Sequence, residues 1–440
     1  MRARFSPLLL LPFAVSLLPF ANAEESPRCA AVEVQARGGV PNLSRKAQES
    51  GREIRVAYLG GSITAAPGWR VKSLEGFQSR FPAGKWSEIH AAIGGTGSDL
   101  GVFRLRQDVL AYHPDLLFVE FAVNDGGADP AQIQRAMEGI VRQTWDANPE
   151  TDIVFVYTLS EPFLADLQAG KCSRAATAME EVADHYAIPS IHFGVEVAKR
   201  LSAGSLVFKG AAPDKPAKPK PSDPMIFSTD GVHPLVETGH EIYAEVLARS
   251  WRGIEAAAAP SNAPHRLPAP LRTDHWAAAK LVSLDPAMLQ GGWSKLNAGE
   301  GGDELARRFS RNLPQLWRAT NPGDRLTFRF RGSMIGFFDV VGPDGGQLRV
   351  TLDGGETKVV PRMDAYCTYH RLSKSQVGGN LDPATDHTVT VTLDSAAPDK
   401  KAILFEKNRP DFEANPAKYA PNHWNVGAIL LLGDPLPANP

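Results

Sequence analysis

Four turns of this chain carry residues that together could attack a carbonyl carbon. Ser62 follows the apolar run IRVAYL and the pair Gly60-Gly61, whose backbone freedom lets a sharp turn present both the serine hydroxyl and its own N–H. The run Glu88–Ile93 leads into Gly94-Gly95-Thr96-Gly97, where a bare backbone N–H can come close to a ligand. Asn124 follows LLFVEFAV, and its amide can donate to a developing oxyanion. In Asp230-Gly231-Val232-His233-Pro234 a carboxylate stands three residues before an imidazole. That spacing lets it orient the ring and leaves the other nitrogen free to take a serine proton. Each signal taken singly has an ordinary alternative. Ser62 could cap a helix, the glycines and Asn124 could form turns, and His233 is one of eleven histidines.

The elements that must hold these turns alternate along the chain. Ile54–Leu59, Glu88–Ile93, Leu116–Ala122, Ile153–Leu159 and Ser190–Phe193 read as strands, several apolar on both faces as in a helix-covered parallel sheet. Between them Asp129-Pro130-Ala131-Gln132 offers an N-cap, a first-turn proline and a reciprocal capping glutamine ahead of a helix over Ile133–Ala147. Ala175–Tyr186 and Val236–Trp251 read as helices too. The alternation predicts a three-layer α/β domain, in which ligands gather at the carboxyl ends of strands, where the four turns fall. Lys209–Pro224 reads as a solvated Pro/Lys loop and Ala256–Pro270 as an interdomain linker. Beyond the linker, Leu326–Arg331, Met334–Val340, Gln347–Asp353, His387–Leu393, Ala402–Glu406 and Val426–Leu432 predict an all-β sandwich.

Serine, glycine, asparagine and histidine, each at a strand end or before the last helix and in that order, resemble the four blocks of the SGNH hydrolases, also called GDSL-type esterases. The resemblance extends over about Lys46–Trp251. It implies a flavodoxin-like α/β/α fold and a carboxylic ester hydrolase in which Ser62 is the nucleophile. His233 would act as general base and then acid, and Asp230 would orient it. The implied oxyanion hole is the N–H of Ser62, the N–H of Gly95 and the side-chain amide of Asn124, with Gly94 and Gly97 as neighbouring alternatives to Gly95. Two positions depart from the family pattern. Gly61 stands where the family has an aspartate, and Ala122 where it has a glycine two residues before the asparagine. No cofactor or metal is implied, since neither H-E-x-x-H nor a close His/Asp cluster appears.

The family acts on many esters, so substrate class rests on other features. An export signal and a β-sandwich similar to the jelly-roll modules of carbohydrate esterases point to an acylated, chiefly acetylated, saccharide or polysaccharide. The rival readings are a lipid or thioester acyl hydrolase, and a glycan-binding or assembly protein on a spent scaffold. Trp69, after Pro67-Gly68, reads either as a sugar platform or as a core tryptophan.

Arg2 and Arg4, an apolar stretch over Phe5–Phe20 and Ala21-Asn22-Ala23 read as a cleaved leader over residues 1–23, hence an exported protein without a stable membrane anchor. The expected organisation continues with an arm over 24–50, the hydrolase domain over 51–255, the linker over 256–275 and the β-sandwich over 276–440. Forty-seven Lys and Arg nearly balance 49 Asp and Glu, which argues against nucleic acid as a partner. Three cysteines, Cys29, Cys172 and Cys367, suit one disulfide and one leftover thiol, with Cys29–Cys172 tying the arm to the first domain.

Overall fold

A computed structural model describes residues 28–211 and 224–437. The expected leader and most of the Lys209–Pro224 loop lie outside the described residues.

The first half is built on a six-stranded sheet: β1 (Val34–Gln35), β2 (Glu53–Gly60), β3 (Lys85–Ala92), β4 (Leu116–Glu120), β5 (Asp152–Tyr157) and β6 (Ser190–His192), in the order β1-β6-β5-β4-β2-β3. β2 to β6 are parallel, and β1 from the N-terminal arm adds an antiparallel edge with Val34 opposite Ile191. Strand alternation divides the apolar residues between two layers. Ala57 and Leu59 of β2 pack with the helices Ser98–Asp108, Pro130–Ala147 and Arg174–His185 on one face. Val56 and Tyr58 pack with Trp69–Arg80, Phe193–Ser202 and Gly239–Ala256 on the other. Every residue of β4 and β5 is buried, which explains their apolar runs, broken only by Glu120 at the end of β4 and Asp152 at the start of β5.

In the register of the sheet, Gly60 at the end of β2 pairs with Ala92 of β3 on one side and Glu120 of β4 on the other. The turns bearing Ser62, Gly95 and Asn124 therefore leave the sheet side by side. The helix Pro130–Ala147 begins as expected, with Asp129 accepting from the Gln132 N–H at 3.1 Å. The reciprocal bond is not made. Gln132 Nε2 donates instead to Asp99 at 3.2 Å.

The second half is a large antiparallel sheet of ten strands, consistent with a β-sandwich. Its spine is one 17-residue strand, Arg325–Val341, where two were expected. The first part pairs with Asp386–Leu393 and the second with Arg371–Gly378, while Trp424–Pro435 follows its other edge. A register shift between Gly332 and Met334 lets this single strand serve both regions. The expected strand Ala402–Glu406 is not formed. Asp399 accepts from the Ala402 N–H at 3.0 Å and starts the short helix Lys400–Ile403, and this local cap overrides the β-branched pattern. The strand Arg371–Gly378 was not foreseen, because its apolar residues are too few to stand out.

The stretch read as a linker is strapped to the first half. The Leu271 and Arg272 N–H groups donate to the Glu138 carboxylate at 2.6 and 2.9 Å, and His265 stacks on Trp145 with ring centres 4.6 Å apart. The apolar cluster containing Leu100, Val102 and Phe103 continues into Phe309, Leu313 and Leu430 of the second half. The three cysteines are free thiols, so the expected disulfide is not formed. Cys29 and Cys172 nevertheless lie opposite one another, with the Cys172 N–H donating to the Cys29 carbonyl at 2.9 Å. Among the described residues no helix is long and apolar enough to cross a membrane.

Candidate active site

β2 ends at Gly60, and Gly61 caps the short helix Ser62–Ala65. Both glycines are required by space. A Cβ on Gly60 would lie 2.9 Å from the Glu120 carbonyl, and one on Gly61 would lie 1.9 Å from Asn124 Oδ1. At position 61 the Asn124 amide, as it is placed here, occupies the space a side chain would take. Gly94 and Gly95 both line the cleft with Ser62 and Asn124. Gly95 has φ +73°, a conformation that favours glycine. Gly97 does something else, leaving room for Asp125, whose Oδ1 would be 2.2 Å from an added Cβ.

The loop before the last helix supplies the other groups. His233 Nε2 lies 2.8 Å from Ser62 Oγ, and His233 Nδ1 lies 2.7 Å from Asp230 Oδ2. The second carboxylate oxygen, Oδ1, accepts from the Val232 and His233 N–H groups, both at 2.8 Å, and from Ser228 Oγ at 3.0 Å. Burial alone would push the Asp230 carboxyl up. The hydrogen bonds from the His233 ring, the two N–H groups and Ser228 outweigh it and hold the carboxyl well below the usual carboxylate range. A serine hydroxyl, an imidazole and an ionised carboxylate thus stand in one hydrogen-bonded line. Such an arrangement can move a proton from the oxygen as it attacks. Among the described residues no group of three His, Cys, Asp or Glu side chains is placed to hold a metal ion.

Two buried carboxyls support these turns: Asp125, which stands beside Asn124 as the family pattern has it, and Glu120, which was missed in the sequence. Glu120, 1 % exposed, accepts from Thr64 Oγ1 at 2.8 Å and Thr158 Oγ1 at 2.6 Å, and bonds the backbone of Gly61. Burial raises its carboxyl above the usual range. The signal was a lone carboxylate inside LLFVEFA. Asp125 accepts from the Ser98 N–H at 3.0 Å and fixes the turn beside Asn124.

Burial pushes the Asp125 carboxyl up to about 7, against the Ser98 hydrogen bonds, which lower it. In the unfolded chain it titrates near pH ~4. Between those values the folded protein holds a proton that the unfolded chain has lost, so stability falls as pH rises from about 4 to 7. Asparagine keeps an acceptor for Ser98 and carries no charge. Thermal unfolding of Asp125→Asn is therefore expected to give a Tm above wild type at about pH 8, with the gap closing towards about pH 5.

Trp69 is not a sugar platform. It is fully buried, with ring centres 5.5 Å from Tyr58, 5.7 Å from Phe118 and 5.6 Å from Phe193. Gly68 leaves room for the His240 imidazole, which accepts from the Trp69 N–H at 3.1 Å and locks the turn inward.

Above Ser62 the cleft measures about 660 Å³ and is closed on its far side by the second half of the chain, with Arg308, Tyr366, Tyr369, His370 and Arg371. None of these was singled out from the sequence.

The parallel sheet, its flanking helices and the turns around Ser62 fall within a stretch that a GDSL/SGNH family model recognises as a domain. Residues 58–242 match the model of the GDSL-like Lipase/Acylhydrolase family. No curated protein matches the chain. Among solved structures it is similar to a two-domain esterase (CEX) active on acetylated mannans, with TM-score 0.66 and 19% identity, covering 91% of this chain and 97% of that one. The two-domain esterase co-crystallised with mannopentaose gives TM-score 0.64 and 18% identity, covering 92% of this chain and 98% of the other. At these identities the likeness is one of fold, and it spans both halves.

Proposed function

We propose that this protein is an exported serine esterase that removes acyl groups, chiefly acetyl, from a saccharide or polysaccharide. The observation that carries the reading is the line from Ser62 Oγ through His233 to Asp230, at 2.8 and 2.7 Å. Ser62 attacks the ester carbonyl while His233 takes its proton, and Asp230 stabilises the imidazolium. The tetrahedral oxyanion is held by the Ser62 N–H, the Gly95 N–H and the Asn124 amide. His233 then protonates the departing sugar oxygen, leaving an acyl-serine that water cleaves by the same steps in reverse order of roles. The export leader read in the sequence and the fold shared with an esterase active on acetylated mannans support a carbohydrate ester.

The test is acetate release from a panel of acetylated glycans, run beside p-nitrophenyl esters of increasing chain length. Acetate release with the acetyl ester preferred is the expected result. Preference for long chains would favour the lipid reading, and glycan binding without turnover would favour the scaffold reading.

Gly61→Ala tests the oxyanion site without touching a reacting group. Its Cβ would displace the Asn124 amide, given a separation of 1.9 Å from Oδ1. Loss of one such donor lowers kcat by about 10²- to 10³-fold, with KM for p-nitrophenyl acetate little changed. Steady-state kinetics on the purified variant check both parameters.

A further inference from the structure

The wall contributed by the second half is chemically one-sided. Among the described residues Arg308 and Arg371 line the cleft, and no aspartate or glutamate does. Arg371 Nη1 reaches to 3.8 Å from where a Cβ on Gly95 would sit, so its guanidinium stands beside the reacting centre. It pairs with Asp364 behind it and lies 5.7 Å from the Tyr366 ring centre. Arg308 is exposed and has no carboxylate partner among the described residues. Its guanidinium lies 5.3 Å from the Phe309 ring centre.

Beside the arginines the surface is aromatic. Tyr366 and Tyr369 are 55% and 51% exposed, and Tyr366 meets Phe405, 41% exposed, edge to face at 4.9 Å. Large side chains left in water on one rim mark a binding surface. Rings offer faces to the C–H side of a sugar. Hydroxyls of a neutral sugar, however, need acceptors as well as donors, and among the described residues the lining presents two guanidinium groups, of which Arg371 is paired with Asp364 and Arg308 has no carboxylate partner. A planar guanidinium fork matches a carboxylate.

We infer that the acylated saccharide is anionic, carrying a uronate carboxylate on or next to the acylated sugar, which Arg308 and Arg371 hold while the tyrosines stack on the chain. This rests on the esterase reading and specifies its substrate class.

The test uses a matched pair, partially acetylated oligogalacturonate and the same material with its carboxyls methyl-esterified, with acetate release as the readout. The full-length protein is expected to favour the charged form in kcat/KM by about tenfold or more, as one charge-assisted contact would give. Added salt should shrink that ratio. Arg308→Gln is expected to bring it close to one, and Arg308→Lys to retain part of it. Because the ratio compares two substrates on one sample, it is insensitive to the fraction of variant that folds. A wild-type ratio at or below one, acetate from neither substrate, or an Arg308→Gln ratio equal to wild type overturns the inference. Hydrolysis of p-nitrophenyl acetate separates the two claims. If it proceeds while the ratio fails, only the anionic substrate is wrong; if it is absent in the wild type, the esterase reading falls as well.

Discussion

Replacing Ser62 by alanine is expected to lower kcat on p-nitrophenyl acetate by about 10⁴- to 10⁶-fold, to the level that the remaining donors alone sustain. The residue sits at the start of a four-residue helix and its hydroxyl points to His233 Nε2 at 2.8 Å, so alanine removes one oxygen and leaves the backbone undisturbed. Its N–H stays in place, and binding of the ester should survive. Thermal unfolding close to wild type together with the loss of turnover would separate chemistry from folding. A Ser62→Ala protein retaining more than about a tenth of wild-type kcat would remove the proposed nucleophile.

Asp230→Asn should cost about 10⁴-fold in kcat while leaving the loop in shape. The two N–H groups of Val232 and His233, each 2.8 Å from Oδ1, keep the asparagine oxygen where that oxygen now lies. The new NH₂ then faces His233 Nδ1, where Oδ2 accepts today at 2.7 Å. A donor facing Nδ1 forces that nitrogen to accept, so the ring proton moves to Nε2 and points at Ser62. In that tautomer the imidazole cannot take the serine proton. Kinetics at about pH 7 beside a melting curve check this, and a fall of less than about tenfold would show that Asp230 does not set the tautomer.

The site lay open in the sequence to the extent that its parts are local. Glycine at 95 answers to local geometry, its positive φ, and the Asp230-to-His233 spacing closes within one turn, so residue types alone were informative there; Gly60 and Gly61 instead make room for Glu120 and Asn124 of the neighbouring strand and turn. That the turns meet follows from strand order: Gly60 of β2 lies between Ala92 and Glu120 in register, as a parallel sheet with ligands at its carboxyl edge requires. Trp69 was ambiguous because Pro67-Gly68 looks like an exposed turn from the local sequence. Only the fold reveals that Gly68 makes way for the distant His240. Arg308 and Arg371 were illegible for the same reason at longer range. They sit more than two hundred residues from Ser62 along the chain and reach it through docking of the halves, which no local pattern records. The strand Arg371–Gly378 was likewise decided by its pairing with the distant strand Arg325–Val341 rather than by propensity.

The apolar cluster that holds Leu100, Val102 and Phe103 of the helix Ser98–Asp108 runs on without a break into Phe309, Leu313 and Leu430. A relative shorn of its latter half would have to recolour the exposed edge of that cluster with polar side chains before it could stay in solution, and the same excision would strip Tyr369 and Arg371 from above the serine. Selection for staying folded and selection for choosing a substrate therefore press on one seam. Diversification of what is cleaved has its easiest path through the rim loops of the β-rich half, not through trading that half for another.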